Sequence, residues 1–106
     1  MLYMVVERYL RGPEPVYARA EAKGRMLPDG LRYVDSWVVD DVAMDRCFQL
    51  MEADDSSLFD EWFAHWSDLT EFELYPVLSS AEAAMRAALD ALPERFRGID
   101  LLVNNA

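Results

Sequence analysis

The chain has 106 residues and is short of several residue types. It has one cysteine, Cys47, which rules out an intrachain disulfide and a multi-cysteine zinc site but says little about compartment. It has one histidine, His65, and its glycines are Gly12, Gly24, Gly30 and Gly98. Basic residues number 10 against 20 acidic ones, and they are scattered. Without a basic stripe to neutralise phosphates, nucleic-acid binding is not expected. Attachment to an anionic membrane surface is disfavoured on the same ground. No apolar run approaches the ~20 residues of a membrane span. The first apolar run has no basic residues ahead of it and is broken early by Glu7-Arg8, so it does not read as a secretory signal. The resulting expectation is a cytoplasmic protein.

Hydrophobic residues make up 53% of the chain, and the formal charge is −10. The length suits one domain. A domain this small leaves apolar surface uncovered, and such surface on a soluble protein usually meets a partner. A homo-oligomer is therefore expected, with the acidic balance serving solubility.

The central stretch is a strand, a tryptophan-rich helix and a second strand. Alternation predicts strands over residues 2–10, 31–40, 46–53 and 72–78. In the first, Leu2, Met4 and Val6 point one way, and Tyr3, Val5, Glu7 and Tyr9 the other. In the second, Leu31, Tyr33, Asp35, Trp37 and Val39 share a face. Pro76 argues that the fourth strand lies at a sheet edge or has its N–H side unpaired. Pro13 and Pro15 open a helix reaching about Arg25, with Val16, Tyr17, Ala20 and Leu27 as its inner stripe. Asp54-Asp55-Ser56-Ser57 starts a helix over residues 57–68, whose stripe is Leu58, Phe59, Trp62, Phe63, Trp66 and Leu69. Ser79-Ser80-Ala81-Glu82 is a capping box for a third helix bearing Met85, Ala88, Leu89 and Leu92. Pro93 interrupts that helix, and residues 99–103 read as a last short strand.

The link over residues 41–45 is too short for a crossover, so the second and third strands form an antiparallel hairpin. The first six elements then match the split βαβ, ferredoxin-like βαββαβ motif, an α+β fold. Residues 1–80 are read as this domain and residues 81–106 as its helix-strand extension. Right-handed crossovers put the first two helices on one side of the sheet. The other side is bare, and two such sheets packed face to face would cover it as a homodimer.

The pieces Met51-Glu52-Ala53-Asp54-Asp55, Trp62, Trp66-Ser67-Asp68-Leu69, Phe72-Glu73 and Pro76-Val77-Leu78 carry a family resemblance, joined by the opening Tyr3-Met4-Val5. Over about residues 1–85 the chain resembles a small bacterial family, catalogued as domain of unknown function 3303. The resemblance implies a dimeric α/β barrel, as in muconolactone isomerases and cofactor-free antibiotic-biosynthesis monooxygenases. It brings no catalytic residues and no cofactor. The wider superfamily holds isomerases, cyclases, oxygenases and non-catalytic ligand binders, so it implies a pocket more than a reaction. The end of the chain, Ile99 to Ala106, resembles the segment before the N-N-A-G motif of short-chain dehydrogenases. There is no upstream glycine-rich phosphate loop, so a helix and strand closing the fold are the plainer reading.

Candidate chemistry follows from strand alternation. A pocket is expected on the sheet face away from the helices. Its lining would be Tyr3, Tyr33, Trp37, Gln49, Met51 and Tyr75, with the carboxylates Glu7, Asp35 and Glu73. Aromatic walls with a few polar groups suit a small, flat organic ligand. A desolvated carboxylate there would act as a base near neutral pH, with Glu7 or Asp35 preferred over Glu73. The isomerase-like or monooxygenase-like reading competes with a non-catalytic dimerisation or ligand/metal-sensing module. In that case the aromatics are dimer core and the carboxylates pair with Arg8, Arg32 or Arg46. A single bulge would reverse part of the facing. His65 falls outside the apolar stripe, with Glu61 and Asp68 as helical neighbours, and is read as solvated; no metal site is assigned. Cys47 is read as a small buried apolar group.

Overall fold

A computed structural model describes residues 1–92. Its elements run β1 (Leu2–Tyr9), α1 (Pro13–Lys23), β2 (Leu31–Val38), β3 (Arg46–Ala53), α2 (Leu58–Ala64), β4 (Thr70–Pro76) and α3 (Ser80–Asp90). The strands form one antiparallel sheet in the order β2-β3-β1-β4. This is the α+β, ferredoxin-like βαββαβ arrangement expected from the element order. The link between β2 and β3 is an antiparallel hairpin. β4 is an edge strand that ends on Pro76, where a missing ladder donor costs least. Among the described residues no helix is long and apolar enough to cross a membrane.

Pro13 opens α1 at a position where its missing N–H costs nothing. Gly24 stops the helix at φ 69, ψ −164, backbone that residues with a Cβ avoid. The chain reverses there, two residues before the expected end at Arg25. Met26 also has positive φ, at 59. This tight reversal aims the Arg25 carbonyl back at α2. It accepts the indole N–H of Trp62 at 2.8 Å and of Trp66 at 3.1 Å.

Helix α2 is shorter than its apolar stripe predicts. After Ala64 the chain winds in tighter turns, with Trp66 N–H donating to Phe63 O and Leu69 N–H to Trp66 O, both at 2.9 Å. These turns keep Trp66 and Leu69 buried, as Trp62 is on α2, without a regular helix. β4 consequently begins at Thr70, two residues earlier than expected.

The core lies between the sheet and the helices. Phe59 is fully buried edge-on to Tyr3, with ring centroids 5.0 Å apart, and Phe63 stacks on Phe72 at 4.1 Å. Such pairs add to area burial, and truncating a ring of this kind costs about 3–5 kcal/mol.

The facing of the strands corrects one expectation. On β1 the buried set is Tyr3, Val5, Glu7 and Tyr9; on β3 it is Cys47, Gln49, Met51 and Ala53. Cross-strand partners tie these sets together, Tyr3 opposite Met51, Val5 opposite Gln49 and Glu7 opposite Cys47. All of them face the helices. A register shift between Tyr33 and Asp35 then splits β2. Tyr33 pairs with Met51 on the helix side, whereas Asp35 and Trp37 pair with Leu50 and Phe48 on the outer side. β4 sends Phe72 and Leu74 inward and Glu71, Glu73 and Tyr75 outward. The expected single-faced lining was therefore a mixture of two faces.

The Ser79 hydroxyl caps α3 by accepting from Glu82 N–H at 3.1 Å, as the capping box requires. None of the residues of α3 is buried. The expected strand over residues 99–103 and the dehydrogenase-like end of the chain lie outside the described residues.

Candidate functional site

Glu7 sits in the middle of β1 on the helix side and is only 5% exposed. Its parity on a strand whose neighbours Val5 and Tyr9 are core residues puts a carboxylate where an apolar group would be cheaper. Among the described residues it has no ion-pair partner. The amide of Gln49, one strand over, donates to its Oε2 through Nε2. Gln49 is 9% exposed, and its Oε1 is buried without a hydrogen-bond partner.

Beside this pair lies a cavity of about 200 Å³, lined among others by Tyr9, Val16, Tyr17, Ala20, Trp62 and Trp66. Gly24 and Arg25 complete its wall, and the exposed members Tyr17, Gly24 and Arg25 mark its mouth. The Arg25 guanidinium lies over the Tyr33 ring, 3.6 Å from its centroid. No carboxylate among the described residues ion-pairs with it.

Electrostatics set Glu7 apart. Burial pushes its carboxyl up to about 7, while the Gln49 hydrogen bond and the Arg25 charge pull the other way. Desolvation wins because the charged form has lost its water and gained one amide donor. A carboxyl balanced near neutral pH is suited to accepting and returning a proton. Cys47 is pushed up to about 11 by burial and then by the Glu7 charge, so it is a neutral thiol and a poor nucleophile. Tyr9 is raised well above its ordinary value, mainly by burial, and stays protonated.

The sequence-derived candidates separate into two groups. Tyr3, Glu7, Tyr33, Gln49 and Met51 face the helices, where Glu7 and Gln49 line the cavity and Tyr3 and Met51 are core. Asp35, Trp37, Glu73 and Tyr75 face outward. Asp35 accepts from the Ser36 N–H at 2.8 Å, and Glu73 accepts from the Tyr75 hydroxyl at 2.6 Å. Two of the three arginines named as alternative partners engage other carboxylates: Arg8 holds Glu71, and Arg32 holds Glu52 and Asp54. His65 is exposed, and its carbonyl accepts from Arg19, which also clamps Asp68. Among the described residues no cluster of His, Cys, Asp or Glu could hold a metal.

Sequence reasoning missed Tyr9, Arg25, Trp62 and Trp66 as cavity residues. The tryptophans and the α1 stripe were visible as inner surfaces. The missing step was the side of the sheet they cover, and β4 carries that signal: its apolar parity, Phe72 and Leu74, opposes its charged parity, Glu71 and Glu73. Nothing in the sequence marks Arg25.

Residues 1–90 match the family described as Domain of unknown function (DUF3303). The chain belongs to that family. The match spans every strand and helix of the DUF3303 fold described above, including all of α3. No curated protein and no solved structure matches the chain.

Proposed function

We propose that this DUF3303 protein binds a small organic molecule in the cavity between its sheet and helices, with Glu7 moving a proton to or from it. The observation that carries this reading is Glu7 itself: a carboxylate 5% exposed, held by one amide and in no ion pair, at the wall of a cavity rich in aromatic rings. Burying it disfavours the charged form and costs stability above neutral pH, a burden typical of groups retained for chemistry. The reaction class is proton abstraction or isomerisation beside a carbonyl or enol, or cofactor-free oxygenation, in a cytoplasmic protein. The site lies on the helix side, not on the outer face first expected.

The outer face supports a second role. Met4, Val6, Phe48 and Leu50 are only half-covered there, and Trp37 and Tyr75 are 52% and 49% exposed. A second copy packed sheet to sheet covers this patch, so the protein is a homodimer whose two cavities lie on its outer sides.

Hydrogen–deuterium exchange at the acidic benzylic C–H of phenylacetone, a single-ring ketone, tests the chemistry. The unmodified protein accelerates exchange, more strongly as pH rises through about 7, and Glu7→Gln abolishes the acceleration. Equal rates in both proteins would remove Glu7 from any proton transfer. Analytical ultracentrifugation tests the assembly; a monomer at micromolar concentration overturns the dimer and leaves the cavity untouched.

A further inference from the structure

Among the described residues of the cavity wall, Arg25 is the cation, and it is held at both ends. Its carbonyl accepts the indole N–H groups of Trp62 and Trp66, between the positive-φ residues Gly24 and Met26. Its guanidinium lies on the Tyr33 ring, 3.6 Å from the centroid. Stacking of this kind uses a face of the guanidinium and leaves its in-plane N–H donors available for a carboxylate. Among the described residues none of those donors meets an acceptor, whereas Arg8, Arg19 and Arg32 all hold carboxylates. Supply is not the reason, because the chain has 20 acidic residues against 10 basic ones. The charge also reaches into the cavity: burial raises the Glu7 carboxyl to about 7, and Arg25 opposes that rise.

We infer that the occupant is a monoanionic organic acid whose carboxylate pairs with the Arg25 guanidinium at the cavity mouth while its apolar body lies against the aromatic and aliphatic wall. This rests on the reading of the cavity as a ligand site. One guanidinium matches one carboxylate in charge and in its forked geometry. Val16, Ala20, Trp62 and Trp66 supply the apolar surface. Arg25 thereby selects the charge of the ligand and orients it, with the carboxylate toward solvent and the body inside. A chain of formal charge −10 repels anions at long range, so a preference for an anion over its neutral isostere identifies a local cation.

The test is a matched pair on the full chain, phenylacetate and phenylacetamide. Binding is followed by the shifts of the Trp62 and Trp66 indole N–H resonances at pH 6, where the acid is ionised and Glu7 keeps its proton. A charge-assisted pair is read as about tenfold tighter binding of phenylacetate. Arg25→Met removes that preference, and Arg25→Lys, which restores the charge, recovers part of it. Equal binding of the two compounds, or tighter binding of the amide, overturns the anion inference while leaving the cavity as a ligand site. A preference that survives Arg25→Met overturns the assignment to Arg25. Failure of both compounds to bind overturns the inference together with the reading of the cavity. Should Arg25→Met disturb the fold, the wild-type ratio and Arg25→Lys decide.

Discussion

The two faces of the sheet are built from the same strands yet make opposite use of polar groups. On the helix side polar groups are few and deeply buried: Glu7 and Gln49 bond to each other among aromatic rings. On the outer side charges are many and paired in the open, Arg8 with Glu71 and Arg32 with Glu52 and Asp54. Exposed pairs of this kind contribute about 0–1 kcal/mol each. A buried carboxylate outside any ion pair changes stability by more than any one of them, and by an amount that depends on pH. The difference shows where a single substitution is felt: inside, one proton matters; outside, whole ion pairs do not.

The sharpest way to break the comparison is Phe59→Ala. Phe59 is fully buried against Tyr3, Trp62 and Phe63, so the expected loss is about 3–5 kcal/mol in urea unfolding. A loss below 1 kcal/mol would mean that the helix side is not the core.

Next is Glu7→Gln, whose effect changes with pH. The folded-state pKa is raised from 4.5 to about 7, so the native state holds its proton more tightly than the unfolded chain. The contribution of Glu7 is full below pH 4.5, declines as pH rises through 7, and is flat above. At pH 8 the neutral glutamine should therefore stabilise the fold by up to roughly 3 kcal/mol, and at pH 4 it should change little. A stability difference that is the same at both pH values would refute the buried-carboxylate account.

Gly24→Ala tests the mouth of the cavity. At φ 69 the substitution is strained although no atom lies within 4 Å of the added Cβ. The expected cost is about 1–3 kcal/mol, with both indole N–H resonances displaced. Unchanged stability would show that the reversal at residues 24–26 is not held as described.

The smallest effect belongs to the outer face. Removing the Arg8–Glu71 pair by Arg8→Ala should alter stability by less than about 1 kcal/mol, and less again in high salt. A larger loss that depends on protein concentration would instead place Arg8 in the contact between copies.

Much of this division was legible in the sequence. β1 and β3 sort into the observed sets by parity alone, the β2–β3 hairpin follows from its short link, and Pro76 locates the edge strand. Which set lies under the helices was not legible from β1 and β3, because both parities are rich in apolar residues: Leu2, Met4 and Val6 against Tyr3, Val5 and Tyr9. The bulge at residues 33–35 erased the alternation of β2, so Tyr33 and Trp37 part company. Glu7 was legible as a candidate base from its strand position. Its partnership with Gln49 and the cavity beside them depend on cross-strand register, and the contribution of Arg25 depends on the backbone reversal after Gly24.

One carbonyl gathers two indoles, and the third tryptophan stands alone on the far side of the sheet. The protein thus carries separate optical reporters for its two surfaces. Emission from Trp62 and Trp66 responds together to whatever disturbs the Arg25 backbone at the cavity mouth. Trp37 responds to whatever comes to lie on the opposite surface. With Trp37→Phe the inner pair is read alone, and occupancy of the cavity can be followed by fluorescence while the state of the other surface is set aside.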